Sequence, residues 1–204
     1  VTGTKPGRRE KYAAQTRAAV LDAAKTLFIA NGFYETSVDE IAQEAEASKG
    51  AVYHHFRDKR QIFVEVYRAS QEVIVRKVIT SMATSTGDPW DRVAMALRLF
   101  LRSYVNDDDA RALLRQVMGV LGWEGVKALD EETALPFLRA TLKEFIAKGF
   151  ARKVPIDATV EIFFSVFSNA ILYIAASSDP DNASDEVELA VLCALEGLKA
   201  PADS

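Results

Sequence analysis

Apolar residues recur along the first sixty positions at the three- and four-residue spacing of a helix face. Val20, Ala24, Leu27, Phe28 and Asn31 follow that spacing, with Ala13 and Ala23 small enough for close packing. They predict a first helix from about Lys11 to Ala30, ended by Asn31-Gly32, two residues that tolerate the left-handed backbone of a helix stop. A second helix is predicted at Ser37, where Ser37 and Glu40 make a capping box and Val38, Ile41, Ala42 and Ala45 mark the inner face. A third starts at Ser48 and turns Val52 and Phe56 inward. Asp58 caps a fourth, with Gln61 in the box position, running to about Met82. At ~1.5 Å per residue this fourth helix spans roughly 35–40 Å, enough to leave one domain and enter another. Residues 1–10, rich in Gly, Pro and Arg, are expected to form a disordered basic arm.

The remainder continues as helices. Asp88-Pro89 reads as a cap followed by proline at the first helical position, opening a helix over about 90–106. The run Asn106–Asp109 breaks it, and a short helix over about 110–118 follows. Trp123 to Phe150 is helical in pattern, and Pro136 is expected to kink or split it. Asp157 opens a helix over about 157–177, and Ser184 opens the last, over about 184–199. Residues 160–176 are apolar on every side, with only Glu161 charged, and the final helix carries Val187, Leu189, Val191, Leu192, Leu195 and Leu198. A chain of this size covers one face of each, so the surplus predicts a two-fold homodimer whose last two helices make a four-helix bundle. The division expected is a basic arm over 1–10, a three-helix unit over 11–57 and a larger helical body over 58–204.

Composition agrees with an all-α chain of about nine helices: 49% of the 204 residues are hydrophobic, and there are only 10 Gly and 6 Pro. The single Cys193 permits no intrachain disulfide, which favours a reduced, cytoplasmic setting. No charged-then-apolar leader opens the sequence, and the 17-residue uncharged stretch Ile162–Ser178 includes Ser165, Ser168, Asn169 and Ser177, so no membrane partner is expected. The net charge of −4 changes meaning once divided. Residues 1–60 hold 10 Lys/Arg against 8 Asp/Glu, whereas 61–204 hold 15 against 21. Lys5, Arg8, Arg9, Lys11 and Arg17 supply most of the basic front, which suits a protein whose front end alone meets phosphate.

Enzyme chemistry finds no support: there is no metal-ligand spacing, nucleophile–base pair or Gly-rich phosphate loop, and no cofactor is implied. The acidic runs Asp107–Asp109 and Asp130–Glu132 read as solvated faces or caps. The only histidines, His54 and His55, point about 100° apart on a helix and make no shared metal site.

A helix-turn-helix reader of DNA needs a first helix that holds the second, a short turn, and a second helix whose N-terminal end is small or polar. Ile41, Ala42 and Ala45 against Val52 and Phe56 meet the first demand, Glu46-Ala47 the second, and Lys49, Gly50 and Ala51 the third. Glycine inside a helix costs ~1 kcal/mol against alanine, and close approach to base edges is a reason to tolerate Gly50. Thr36 and Ser37 sit at a helix N-terminus that favours an anion. Tyr53, His54, His55 and Lys59 offer donors around the other end, and Lys49 can reach either a guanine edge or a phosphate.

The segment TSVDEIAQEAEASKGAVYHHFRDKRQIF (36–63) resembles the DNA-binding segment of the tetracycline-repressor (TetR) family of bacterial transcriptional regulators. The likeness lies in Thr36, Ile41, Ala42, Ala45, Ser48, Gly50, Tyr53, His55, Phe56, Lys59 and Ile62-Phe63, with Phe28 and Gly32-Phe33 before them; it spans about residues 12–66. The family usually has Gly-Val where this chain has Glu46-Ala47, so a left-handed Glu46 is expected to carry roughly 1 kcal/mol of strain. The resemblance implies that Lys49, Gly50 and Ala51 face bases while Tyr53, His55, Lys59, Thr36 and Ser37 meet phosphates. It also implies a repressor that acts as a homodimer on a palindromic operator and is released by a small, largely apolar effector. Phe100, Tyr104, Leu113, Met118, Leu121, Trp123, Phe137, Phe145, Phe164 and Phe167 are candidates to line the effector site, Tyr104 and Trp123 foremost because each joins an apolar body to a polar tip. A Pro136 kink with two packings is a device that such a ligand can bias. The alternative is a DNA-binding or protein-interaction module of the same fold without an inducer.

Overall fold

The computed structural model describes residues 7–201, all helix and connection apart from one isolated antiparallel bridge. The order is α1 (Arg8–Asn31), α2 (Val38–Glu44), α3 (Lys49–His55), α4 (Lys59–Thr84), α5 (Pro89–Val105), α6 (Asp108–Asp130), α7 (Ala134–Ala147), α8 (Ile156–Ala176) and α9 (Pro180–Glu196). Two compact units divide inside α4, between Ala69 and Ser70.

In the N-terminal unit α1, α2 and α3 pack on one another. Val20, Ala24, Phe28, Ile41, Val52, Phe56, Ile62 and Phe63 are buried. Their aromatic centre is Phe28, whose ring meets Phe33 and Phe63 at 5.7 and 5.4 Å, while Phe63 stacks on Tyr67 at 6.4 Å. The first helix begins at Arg8 rather than Lys11, so residues 8–10 of the expected disordered arm are helical; residues 1–6 lie outside the described residues. The Gly7 amide is held by Glu10 Oε2 at 2.8 Å, which favours the earlier start.

In the C-terminal unit α8 packs against α5, α6, α7 and α9, and α5 packs against α9. Charged residues stitch the rim: Arg98 meets Glu188, Arg102 reaches Asp181 and Asp185, and Lys127 meets Glu161. Three expectations are corrected here. The gap predicted after residue 118 is absent; α6 runs on through a bend at Gly122, whose φ of 69° and ψ of 172° are not helical. Pro136 neither kinks nor splits a helix, because the chain has already broken at 131–133 and the proline stands in the first turn of α7, where its missing N–H has no intrahelical partner to lose. Finally, α9 opens at Pro180, not Ser184: the Asp179 side chain accepts from the Asn182 amide at 3.1 Å, and Ser184 is fully buried within the helix. Asp179-Pro180 is the same signal as Asp88-Pro89. By length and composition alone α8 is long and apolar enough to cross a membrane, contrary to the reading of 162–178. It packs against four neighbours, yet only 33% of its most apolar window is buried in one copy.

Candidate nucleic-acid interface

Only one side of α3 is held by the protein. Val52 is fully buried and Phe56, one turn on, nearly so. Lys49, Gly50, Tyr53 and His54 are exposed: Gly50 and His54 face away from that side, Lys49 stands at the helix start and Tyr53 on the flank, while Ala51 and His55 are half-buried. A Cβ built on Gly50 meets nothing closer than Ser48 Oγ at 3.9 Å, so nothing inside the chain requires a glycine there. Ser48 caps the helix by accepting from the Ala51 amide at 3.1 Å.

The turn before α3 is a Schellman stop. The Ala47 amide donates to the Ala42 carbonyl at 2.9 Å and the Glu46 amide to the Gln43 carbonyl at 3.1 Å. This geometry puts Glu46 at φ 49°, in the left-handed region.

At the start of α2 the capping box is complete. Ser37 Oγ accepts from the Glu40 amide at 3.2 Å, and Glu40 Oε2 accepts from the Ser37 amide and hydroxyl at 2.7 and 2.8 Å. The Ser37 backbone bond, then the hydroxyl, hold the Glu40 carboxyl below its ordinary range. Ser37 itself stays exposed.

Two expected phosphate ligands are turned to other work. The Thr36 side chain is buried, and its hydroxyl donates to the Gly32 carbonyl at 2.8 Å. The Lys59 ammonium donates to the carbonyls of Phe33 and Thr36, each at 2.6 Å, and sits 4.4 Å from the Phe33 ring centroid. Desolvation there pushes its pKa down. Both side chains therefore fasten the loop between α1 and α2, because their donors are engaged by backbone carbonyls. Lys49 is engaged as well, but at the surface: its ammonium lies 2.8 Å from Asp39, whose hydrogen bond raises its pKa. Asp39 escaped the sequence reading; an acid ten positions before a lysine, across a tight turn, was its only signal. Arg57 and Arg60, exposed where α4 begins, also escaped it.

The candidate effector residues fall into separate groups. Phe100 meets Tyr104 at 5.5 Å and Phe167 at 6.4 Å, and Trp123 meets Phe164 at 5.4 Å. Tyr104, Leu113, Leu121 and Phe164 are buried, and Phe100, Trp123, Phe137 and Phe167 half-buried. Met118 is exposed. Phe145 belongs elsewhere: it packs with Trp90 and Phe150, where the Trp90 indole donates to the Phe150 carbonyl at 2.9 Å and the chain pairs Ala151 with Lys199. Bulk and aromaticity put these residues in one list; the fold separates them. Among the described residues no group of His, Cys, Asp and Glu is placed to hold a metal.

Comparison with known proteins agrees with this architecture. Residues 20–66 match the tetR family of bacterial regulatory proteins, and residues 90–198 match the tetracyclin repressor-like C-terminal domain. The chain belongs to the TetR family and is a DNA-binding transcriptional regulator. It is 32% identical over 126 residues to the HTH-type transcriptional regulator AcrR of Shigella flexneri, a match covering 61% of this chain and 59% of that protein. It is 24% identical over 134 residues to the transposon Tn10 TetC protein of Escherichia coli, covering 66% and 67%. A TetR-family transcriptional regulator from Pectobacterium atrosepticum has the same fold, with a TM-score of 0.79, 21% identity, and coverage of 97% of this chain and 100% of that one.

Proposed function

We propose that the chain works in the cytoplasm as a homodimeric repressor, with α3 of each copy in the major groove of a palindromic operator and a small, largely apolar effector releasing it. The bare outer side of α3 carries this reading: Gly50, Tyr53 and His54 are exposed on a helix that Val52 and Phe56 clamp from behind, and Lys49 is exposed at its first turn. In that role Lys49, Gly50 and Ala51 approach base edges. Ser37, Ser48, Tyr53, His54 and His55 meet the backbone, and Thr36 and Lys59 hold the frame from inside. Lys49 must exchange Asp39 for DNA, an exchange between exposed partners with little free energy at stake.

Dimerisation through α8 and α9 is supported by the apolar side chains that one copy leaves uncovered. Ile162 is 63% exposed, Tyr173 55% and Leu189 67%. Ile162, Val166, Asn169 and Tyr173 fall on one helix stripe. Selection of bound genomic fragments by the purified chain, followed by a titration in salt, tests the proposal. The expected product is a palindrome with half-sites about 34–36 Å apart. Tyr53→Ala weakens every bound sequence by roughly 1–3 kcal/mol, and Lys49→Ala alters the preferred bases if its ammonium reads an edge. Unchanged affinity in Tyr53→Ala counts against this docking.

A further inference from the structure

The first turn of α2 is tied to the first turn of α3 by a carboxylate that the fold does not need. Asp39 is exposed on α2, and its two oxygens hold the Lys49 ammonium at 2.8 and 2.9 Å. Its neighbour Glu40 is committed to the Ser37 cap, and Ser48 caps α3 through its own hydroxyl, so both helix starts are closed without Asp39. The side chains of Lys49 and Asp39 are 55% and 67% exposed, and an ion pair so open to water adds little to folding. On a surface that meets phosphate the same acid is a hindrance. It cancels the lysine at the start of α3 and repels the DNA backbone.

An acid placed there helps only where a base edge offers it a donor, and elsewhere it penalises binding. The exchange that gives Lys49 to DNA leaves the carboxylate behind at the same spot. In the major groove it can accept only from the amino groups, cytosine N4 and adenine N6, because guanine O6 and N7 and thymine O4 are themselves acceptors. The lysine decides between these two. A G·C pair sets two acceptors, N7 and O6, side by side next to the cytosine donor, whereas an A·T pair has one acceptor on each side of its donor. The spacing fits as well. Guanine O6 and cytosine N4 share a base-pair hydrogen bond and lie about 2.9 Å apart. Lys49 Nζ and the Asp39 oxygens already stand at that separation. A G·C edge therefore matches the pair, acceptors to the ammonium and donor to the carboxylate.

We propose that Asp39 is a specificity-determining residue. With Lys49 it reads one G·C pair in each half-site, the ammonium on guanine and the carboxylate on the cytosine amino group, and it weakens binding wherever that amino group is missing. This rests on the reading that α3 lies in the major groove, and it names a base pair and a second residue that reads it there.

The test uses the duplex that the full chain selects from genomic fragments, with each cytosine in turn replaced by N4-methylcytosine. The methyl group takes the place of the groove-facing hydrogen and leaves the pairing with guanine intact. Methylation of one cytosine in each half-site should weaken the wild type by about tenfold or more and Asp39→Ala by less than about threefold. Lys49→Ala should lose its preference at that same pair. The wild-type response is read on an unaltered protein, so it does not depend on a variant folding. Asp39→Ala should also bind a duplex of unrelated sequence about threefold more tightly at about 0.1 M salt, a gain that a pair serving only to join two helices would not give. The assignment is overturned if no methylated cytosine separates the wild type from Asp39→Ala by about threefold. An A·T pair as the one whose preference depends on Asp39, or no gain on unrelated sequence, overturns it too. Tyr53→Ala tells these failures from a failure of the docking. If it weakens every duplex, only the role of Asp39 falls; if it leaves affinity unchanged, the placement of α3 falls and the role of Asp39 with it.

Discussion

Glu46 has a φ of 49°, and among the described residues it is the only one other than glycine in the left-handed region. The position follows the last turn of α2, where the Schellman bonds demand that conformation and a Cβ is a hindrance. Glu46→Gly is expected to raise unfolding stability by about 1 kcal/mol, measured in urea, without displacing α3. Asp130 gives a second prediction. Desolvation lifts its carboxyl from 3.8 to about 6, against a hydrogen bond from Thr133. Because the folded value lies above the unfolded one, the folded chain holds a proton that the unfolded chain releases between those values. Stability from this group is therefore full below about pH 4 and is lost as pH rises through about 6. At ~1.4 kcal/mol for each pH unit, the loss approaches 3 kcal/mol. Asp130→Asn, which keeps an acceptor for Thr133, should remove this slope and stabilise the chain at pH 7.5 by about 1–3 kcal/mol. The difference between wild-type and variant urea midpoints at pH 5 and 7.5 checks it.

At the scale of elements, the bend in the C-terminal unit belongs to glycine and not to proline. Gly122 carries a φ of 69° inside α6, a conformation that any side chain strains, although space around it is open. Pro136 lies in the first turn of α7, where proline costs nothing in hydrogen bonds. Gly122→Ala should therefore cost about 1–2 kcal/mol, whereas Pro136→Ala should change stability by less than ~0.5 kcal/mol. Thermal melts of the two variants decide between the observed bend and the one that the proline suggested. An equal or larger loss in Pro136→Ala would place the kink where the sequence put it.

For the whole molecule, the question is what covers α8 and α9. Leu189, Tyr173 and Ile162 leave apolar area exposed in one copy, and Cys193 lies on the same helix as Leu189, also exposed. In the proposed dimer a charge at the centre of this surface cannot be solvated. Leu189→Glu should give a monomer by sedimentation equilibrium, with each copy still folded by circular dichroism. Operator affinity should fall by roughly 10² or more, since one reading helix loses the help of the second. A Leu189→Glu chain that remains dimeric would move the interface elsewhere.

The amino-acid sequence by itself determined the elements whose causes lie within about four residues. The capping box of Ser37 and Glu40, the Ser48 cap, Asp88-Pro89 and the apolar spacing of α1 were all legible, because caps and helix faces are made by near neighbours along the chain. Tertiary structure decided what depends on distant partners. It turned Thr36 and Lys59 inward, the latter through carbonyls up to 26 residues away. It separated Phe145 from the other candidate rings and set Gln71 against the Tyr104 hydroxyl. A side chain's type states which bonds it can make, but burial and the company of remote carbonyls and rings determine which of them it does make, and those arise only when the helices pack.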